Sequence, residues 1–472
     1  MEKADDKVFQ CRAGVIVAVL FAVSFPLSVS AEDQVGTVTL AQLIDEAMKN
    51  GPEVRLENAS MAISRAAYDQ SMAQNGLSLA GSAGASRRDP FLDAGGPSEE
   101  RDPSDSITAG LALTGPFSTK LDLSAGYTLT EASPSAGHST SLSLSASGSI
   151  WDGYPGGRGL AAVQQAGLTF SSNELDHAAR LKTILYNLKQ SCYTMLSQQR
   201  QLVVLQNTLE KRKSELARVQ IMFDNHDATK IDLKQAQLNA ASAELDLGSA
   251  RNDLSTAREK LSALVGRPAD AVYTLAETED LPIPAMDVET AVKTAFEART
   301  DLAKLGLSRA KGEISLALQK AQYSPTVSAS GGLSWNRNWN ADSDQASWNA
   351  GLQVRIPIID SGQIGSQVRQ AGLQNESTDI QIAQLAASIS TDVKNALGNL
   401  EELRVKADLA QRSLELAGDK YELAKAKFDA NSISMLDLLT AAVDLSGAEA
   451  NLAKAKSDVQ LGVLALQNAI GN

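Results

Sequence analysis

Apolar residues recur every seven positions along four long stretches of this chain. Counting back from Phe223, the sevens fall on Leu216, Leu209, Leu202, Met195, Leu188 and Leu181. Counting forward from Leu233, they fall on Ala240, Leu247, Leu254 and Leu261, with Ala236, Ala243, Ala250, Ala257 and Leu264 three residues on. The pattern returns as Val393, Leu400, Ala407, Leu414, Tyr421 and Phe428, then as Leu438, Leu445, Leu452, Val459 and Leu466 beside Ala441, Ala448, Ala455, Gly462 and Ala469. A strict seven-residue repeat predicts supercoiled helices packed knobs-into-holes. Such helices have a narrow apolar seam and are polar elsewhere, so they must pack on each other or on other subunits. At about 1.5 Å per residue, the stretch from Ser171 to Phe223 is roughly 80 Å long, which suits a rod or a tube.

Between the helical stretches the period changes to two. Trp348, Ala350, Leu352, Val354, Ile356 and Ile358 alternate with Ser347, Asn349, Gly351, Gln353 and Arg355. Leu142, Leu144, Ala146, Gly148 and Ile150 alternate with serines. Leu77 to Ala85, Val327 to Trp335, Ile107 to Leu113 and Leu121 to Leu129 alternate as well. These are strands with two different faces. They number four before the midpoint and two after it.

The chain is therefore two copies of one pattern. Phe223-Asp224-Asn225-His226 through Leu233 corresponds to Phe428-Asp429-Ala430-Asn431 through Leu438 at an offset of 205 residues, and Gly266 falls on Gly471. The helical stretch Thr39 to Gln74, broken at Gly51-Pro52, corresponds to Asp287 to Gln322 at an offset of 248. Past the strands Asp152 falls on Asp360, an offset of 208, so the drop from 248 means that the first half carries 40 extra residues there, which hold the Ile107 and Leu121 strands. The expected organisation is a signal peptide over 1–31 and a first repeat over 32–276, with about four strands within 77–151 and a helical hairpin over 154–266. A linker over 277–286 follows. The second repeat, 287–472, has a β-hairpin over 325–358 and a helical hairpin over 362–471. The hairpin tips fall near 223–233 and 428–438.

Composition narrows the partners. The net charge of −13 argues against nucleic acid. Lys3, Lys7 and Arg12 precede an apolar run from Ala13 to Val29, and Val29-Ser30-Ala31 offers small residues for cleavage; this reads as a secretory signal, with an uncleaved anchor helix as the alternative. Past it, no apolar run approaches the length of a membrane-spanning helix. Cys192 lies near the helix seam and reads as a small buried hydrophobe. His138, His177 and His226 are widely spaced, so no metal site is expected. No nucleophile elbow, P-loop or dinucleotide motif is present, which predicts neither catalytic residues nor a cofactor.

Ten-residue runs that are apolar on one face and Ser, Gly, Thr or Gln on the other match the strands of membrane barrels. Four or six strands cannot close a barrel of useful bore, so several chains would have to share one. The alternative is a soluble β-sandwich attached to a coiled coil, which needs bulky core residues that most of these strands lack.

In this order, twice over, the pieces resemble the outer-membrane efflux protein (TolC-like) family across nearly the whole chain. Ala47 to Val54 resembles the family's A-x-x-x-N-P-E-L opening with Gly51 inserted, and Arg299-Thr300-Asp301-Leu302 resembles its R-P-D-L counterpart. Ile150-Trp151-Asp152-Gly153 and Ile358-Ile359-Asp360-Ser361-Gly362 resemble its strand-to-helix turn, and the tips resemble its F/Y-x-x-G-x-x-(S/T)-x-x-D-(L/V) motif. The resemblance implies a mixed α + β membrane protein. Three identical chains would share a transmembrane β-barrel continued by a long periplasmic α-helical barrel. It also implies an outer-membrane exit duct for efflux or type I secretion, with lipid, a periplasmic adaptor and an inner-membrane transporter as partners. A periplasmic coiled-coil scaffold without a pore is the competing function.

The resemblance also assigns residues. Phe223, His226, Thr229, Phe428, Asn431 and Ser434 would form adaptor-docking tips. His226 and Asn431 stand where the family has a glycine that turns left-handed, a conformation Asn tolerates better than His. Asp232 and Asp437 occupy the aspartate position after each tip. One reading makes them an acidic ring at the periplasmic aperture; the other makes them caps at the helix starts, where negative charge is favoured. Gln235 and Thr440 stand one turn further on, where the family often has another acid. Trp335, Trp339 and Trp348, near the loop of the second β-hairpin, would form an interfacial aromatic girdle. With six strands per chain, a trimer would have 18 rather than the family's usual 12, unless the extra pair projects beyond the membrane.

Overall fold

The computed structural model describes residues 36–88, 104–115, 119–130, 137–277, 281–284, 286–430 and 432–471. The expected signal peptide lies outside them. Strand β1 (Gly36–Val38) leads into α1 (Leu40–Asn50) and α2 (Pro52–Gln74). Thr39 and Gln42 start α1 with a reciprocal capping box. Gly51 ends it: its N–H donates to the Ala47 carbonyl, and a Cβ at this position would lie 2.3 Å from that oxygen. Pro52 then opens α2 at a position where its missing N–H costs nothing.

Four strands follow, β2 (Ser78–Arg88), β3 (Ser104–Thr114), β4 (Lys120–Thr130) and β5 (Gly137–Trp151). The 67-residue α3 (Arg158–Asp224) and the 36-residue α4 (Lys230–Val265) form the first long hairpin. Strand β6 (Tyr273–Leu275) pairs in parallel with β1. Helices α5 (Val288–Ala298) and α6 (Thr300–Ala321), strands β7 (Thr326–Asn338) and β8 (Ser343–Arg355), and helices α7 (Gln363–Asp429) and α8 (Met435–Ile470) complete the chain. α7 and α8 have 67 and 36 residues, the lengths of α3 and α4. Each long helix begins just after an aspartate. Asp152 accepts from the backbone N–H groups of Tyr154 and Arg158, and Asp360 from those of Gly362 and Ile364. The two hairpins end at Gly266 and Gly471, both left-handed.

Apart from α1 and α5, the helices form a layer one helix thick. Near the strands the order of packed neighbours is α2, α3, α6, α7; toward the tips it is α4, α3, α8, α7. Lys304 to Asp176 (2.7 Å) and Arg309 to Asp379 (2.6 Å) tie α6 to its neighbours α3 and α7. The core is not continuous but forms three clusters. The first joins α1, α3, α4 and β6 around Leu43, Met195 and Leu261. The second joins α5, α7 and α8 around Ala295, Val393 and Val463. The third lies at the tips. In the last third of α8 burial spreads from one seam to most of the circumference, taking in Val459, Gln460, Gly462, Val463 and Leu464. The heptad pattern predicts a narrow seam there; α5 covers a further face.

Six strands form one antiparallel sheet in the order β2-β3-β4-β5-β7-β8. Its register sorts the side chains cleanly. One face carries Leu79, Ile107, Leu111, Leu113, Leu121, Leu123, Leu142, Leu144, Val327, Leu333, Trp335, Trp348, Leu352 and Val354, mixed with Ala and Gly, and only toward the end farthest from the helices Arg87, Asp105, His138, Thr140, Arg337 and Asp344. The other carries mainly Ser, Thr, Gly, Asn and Gln, with hydroxyl pairs Ser86–Ser106 (2.8 Å), Ser124–Ser143 (2.5 Å) and Ser334–Ser347 (2.7 Å) across neighbouring strands. Among the described residues no element packs on the apolar face, where Leu79, Leu333, Trp348 and Leu352 are exposed. Among the described residues no helix is long and apolar enough to cross a membrane.

Candidate functional site

The site is the end of the molecule farthest from the sheet, where both long hairpins turn. α3 runs out at Asn225, and His226 takes φ of +68°. That left-handed residue lets the chain reverse, so that the N–H of Asp227 donates to the Met222 carbonyl at 2.8 Å. At the second tip the N–H of Ser432 donates to the Lys427 carbonyl at 2.8 Å. Asn431 lies outside the described residues.

Each outgoing helix starts with a capping box. Thr229 caps α4: its Oγ1 accepts from the Asp232 N–H (3.2 Å), while Asp232 Oδ2 accepts from the Thr229 N–H (2.9 Å) and hydroxyl (2.7 Å). Ser434 and Asp437 repeat this at the start of α8, with 3.2, 3.1 and 2.7 Å. Both aspartates therefore cap helix N-termini through one oxygen, as the second sequence reading expects. The caps also fix where the charges sit, half-buried at Asp232 and exposed at Asp437.

The phenylalanines face inward. Phe223 and Phe428 pack against a cluster built from Val219 and Leu233 of the first hairpin and Met435, Leu438 and Leu439 of the second. His226, Thr229 and Ser434 are exposed. Of the six tip residues, the structure thus gives two to the core and presents three to solvent. Gln235 reaches Asn239 (2.9 Å), and the Thr440 hydroxyl donates to the Leu436 carbonyl (2.8 Å), so neither adds charge.

The bonds that join one hairpin to the other are absent from the sequence reading. Arg218 on α3 donates to Asp429 at 3.2 Å and lies 5.1 Å above the Phe428 ring. Further up the same seam Lys211 meets Glu449 at 3.2 Å. Arg212 is 4% exposed, donating to Glu215 at 2.8 Å and to the Ser446 hydroxyl at 3.5 Å. Its position was readable: Arg212 lies three residues past Leu209, on the second row of the seam, where a cation needs a partner.

At the opposite end, Trp335 and Trp348 share the apolar face of the sheet, Trp335 beside Leu142 and Trp348 beside Leu333. Trp339 stands past the end of β7. Its Nε1 donates to Thr140 at 2.9 Å, and Arg337 stacks on it at 4.4 Å. Other candidate chemistry is thin. Burial pushes the Cys192 thiol up to about 12, which leaves it protonated and unreactive. Among the described residues no group of His, Cys, Asp and Glu could hold a metal ion.

The comparisons bear on this architecture. No curated protein sequence matches the chain. Residues 291–472 match the family described as outer membrane efflux protein. Among solved structures, CusC, described in terms of transmembrane channel formation, superposes with a TM-score of 0.73 at 18% identity, covering 92% of each chain. The outer membrane protein VceC of Vibrio cholerae gives 0.70 at 16%, covering 92% of this chain and 96% of its own. The open-state outer membrane channel MtrE of Neisseria gonorrhoeae gives 0.68 at 18%, covering 92% and 89%. Residues 291–472 thus match an outer membrane efflux protein domain, and the chain as a whole shares the fold of these solved outer-membrane channels.

Proposed function

We propose that this chain is the outer-membrane exit duct of a tripartite efflux or type I secretion system. Three copies would share one β-barrel in lipid and one helical tube in the periplasm. The tips would dock a periplasmic adaptor, and an inner-membrane transporter would feed the tube. Substrates pass through without chemistry.

One observation carries the reading. The six-stranded sheet has a face that is apolar except at the end farthest from the helices and that no element among the described residues covers, and an opposite face dominated by hydroxyls and amides. In water such a face would drive association or aggregation. In a bilayer it meets lipid while the other face meets an aqueous channel. The helical layer supports the same conclusion: one helix thick and open at both edges, it becomes a tube when copies join edge to edge. The capped aspartates suit an aperture, because a box that holds each carboxylate at a helix start also fixes its distance from the axis. The scaffold alternative would leave the sheet in water.

The test is single-channel conductance of the detergent-purified protein, with the oligomer mass measured in the same preparation. The expected result is a trimer giving discrete, cation-preferring openings. A water-soluble species without channel activity would return the chain to the scaffold reading.

A further inference from the structure

The hairpin β3–β4 is the segment that the second half of the chain lacks. If it were an appendage beyond the membrane, β2 would pair directly with β5. It does not. β3 and β4 lie between them, and the ladders β2–β3, β3–β4 and β4–β5 each run through 11 consecutive residue pairs without a break. Eleven residues at about 3.3 Å, tilted by about 45°, rise roughly 25 Å, the height of the apolar band of a membrane barrel. The alternation is also continuous. Ile107, Leu111, Leu113, Leu121 and Leu123 lie on the face of Leu144 and Leu333, whereas Thr108, Asp122, Ser124 and Thr128 lie on the face of Ser143 and Ser334. Of the two carboxylates in the middle ladder, Asp122 is on the polar side, and Asp105, on the other face, sits at the end farthest from the helices, paired with Arg87 at 3.7 Å. A hairpin bathed in water on both faces would need no such sorting.

The edges of this sheet are β2 and β8. β2 runs away from the helices and β8 runs toward them, so β8 of one chain meets β2 of the next as an antiparallel neighbour. Their lengths, 11 and 13 residues, match. Backbone groups on a bare strand edge cannot be left unpaired in lipid.

We infer that all six strands of each chain cross the membrane, and that the β8 edge takes a second copy's β2, so that three copies close an 18-stranded barrel. This rests on the trimeric duct reading above. Barrel diameter grows roughly linearly with strand number, so the outlet is about half again as wide as that of a 12-stranded barrel, in the size range where porins keep an open aqueous channel. Hydroxyls and amides dominate its lining, so the outlet passes bulky hydrophilic solutes with little selection by charge. Any charge filter then lies at the tips.

Single cysteines, in a chain with Cys11 and Cys192 replaced by alanine, test the inference in outer-membrane vesicles with a membrane-impermeant maleimide. On the inserted hairpin the variants are Thr108→Cys and Ser124→Cys against Leu111→Cys and Leu123→Cys. Ser143→Cys and Ser334→Cys against Leu144→Cys and Leu333→Cys provide the internal standard. The expected result is labelling on the order of tenfold faster at the polar-face positions of both sets. Uniform labelling of the β3 and β4 positions beside an alternating standard would overturn the 18-stranded barrel and leave the duct intact. Uniform labelling of the standard as well would remove both. Paired cysteines at Ser82 and at each polar-face residue of β8 from Gln345 to Gln353 read the edge contact directly. Covalent dimers and trimers at one or more positions are expected, and their absence along the whole strand would overturn the β8–β2 pairing.

Discussion

At the residue scale, the capping by the two tip aspartates and the aperture role proposed for them can be separated chemically. Asparagine keeps a carbonyl oxygen that can accept from the Thr229 or Ser434 N–H, so Asp232→Asn with Asp437→Asn should preserve most of each cap and remove only the charge. Planar-bilayer recordings should then show higher conductance or a weaker cation preference, and unchanged single-channel behaviour would leave capping as the whole role. Thr229→Ala removes the cap instead, at a cost of about 1 kcal/mol, read as faster amide exchange in the first turn of α4. His226 is the converse case. A histidine at φ of +68° is strained, and His226→Gly should stabilise the first tip by about 0.5–1 kcal/mol, visible as slower exchange at Asp227 and Ala228. The motif spacing alone placed these residues at turns, because caps and left-handed residues are local. What it could not give was Arg218 over Phe428, since that contact joins positions on hairpins whose relative placement no short-range pattern encodes.

Elements show a similar division. The heptads run along α3, α4, α7 and α8 because period is a property of one helix and its seam. The alternating residues fall on the six strands of the large sheet for the same reason. β1 and β6 escaped, being three residues long each; too few side chains alternate to be seen. The wide burial in the last third of α8 escaped too, since it depends on α5, which is distant in sequence. That region is sensitive to added volume. A Cβ on Gly462 would lie 2.8 Å from Leu403 Cδ1 and 3.3 Å from Leu400 Cδ1, so Gly462→Val should destabilise by about 1–3 kcal/mol in a denaturation series. Ala243→Leu together with Ala448→Leu tests the alanine row of the hairpins in the same way, and an intact, equally stable oligomer would contradict close packing there. The start of α7 carries a pH signature. The N–H groups of Ile364 and Gly362 hold the Asp360 carboxyl below its ordinary value of 3.8. A depressed folded pKa contributes stability that is present above the unfolded value and lost as pH falls through the folded one. Protection from amide exchange in the first turn of α7, taken relative to the intrinsic rate at each pH, should therefore be flat above pH 5 and fall below about pH 4, and Asp360→Asn should abolish that dependence.

For the whole molecule, the sequence pattern implied strands with unlike faces, but not their order. The continuity of β2, β3, β4 and β5 is a matter of register, and that is what turns an ambiguous strand count into a statement about outlet width. The sheet's bare faces and bare edges also bear on how the protein reaches its destination. A lone chain has no phase in which it is at ease: water is wrong for the apolar face, and lipid is wrong for the two unpaired edges. In the trimeric barrel proposed above, folding of the sheet, meeting of the chains and entry into the bilayer then become a single kinetic event of third order in free chain. When expression is titrated at low levels, the membrane-inserted amount should climb with a log–log slope of about three before it saturates, whereas a chain able to insert alone would give a slope of about one.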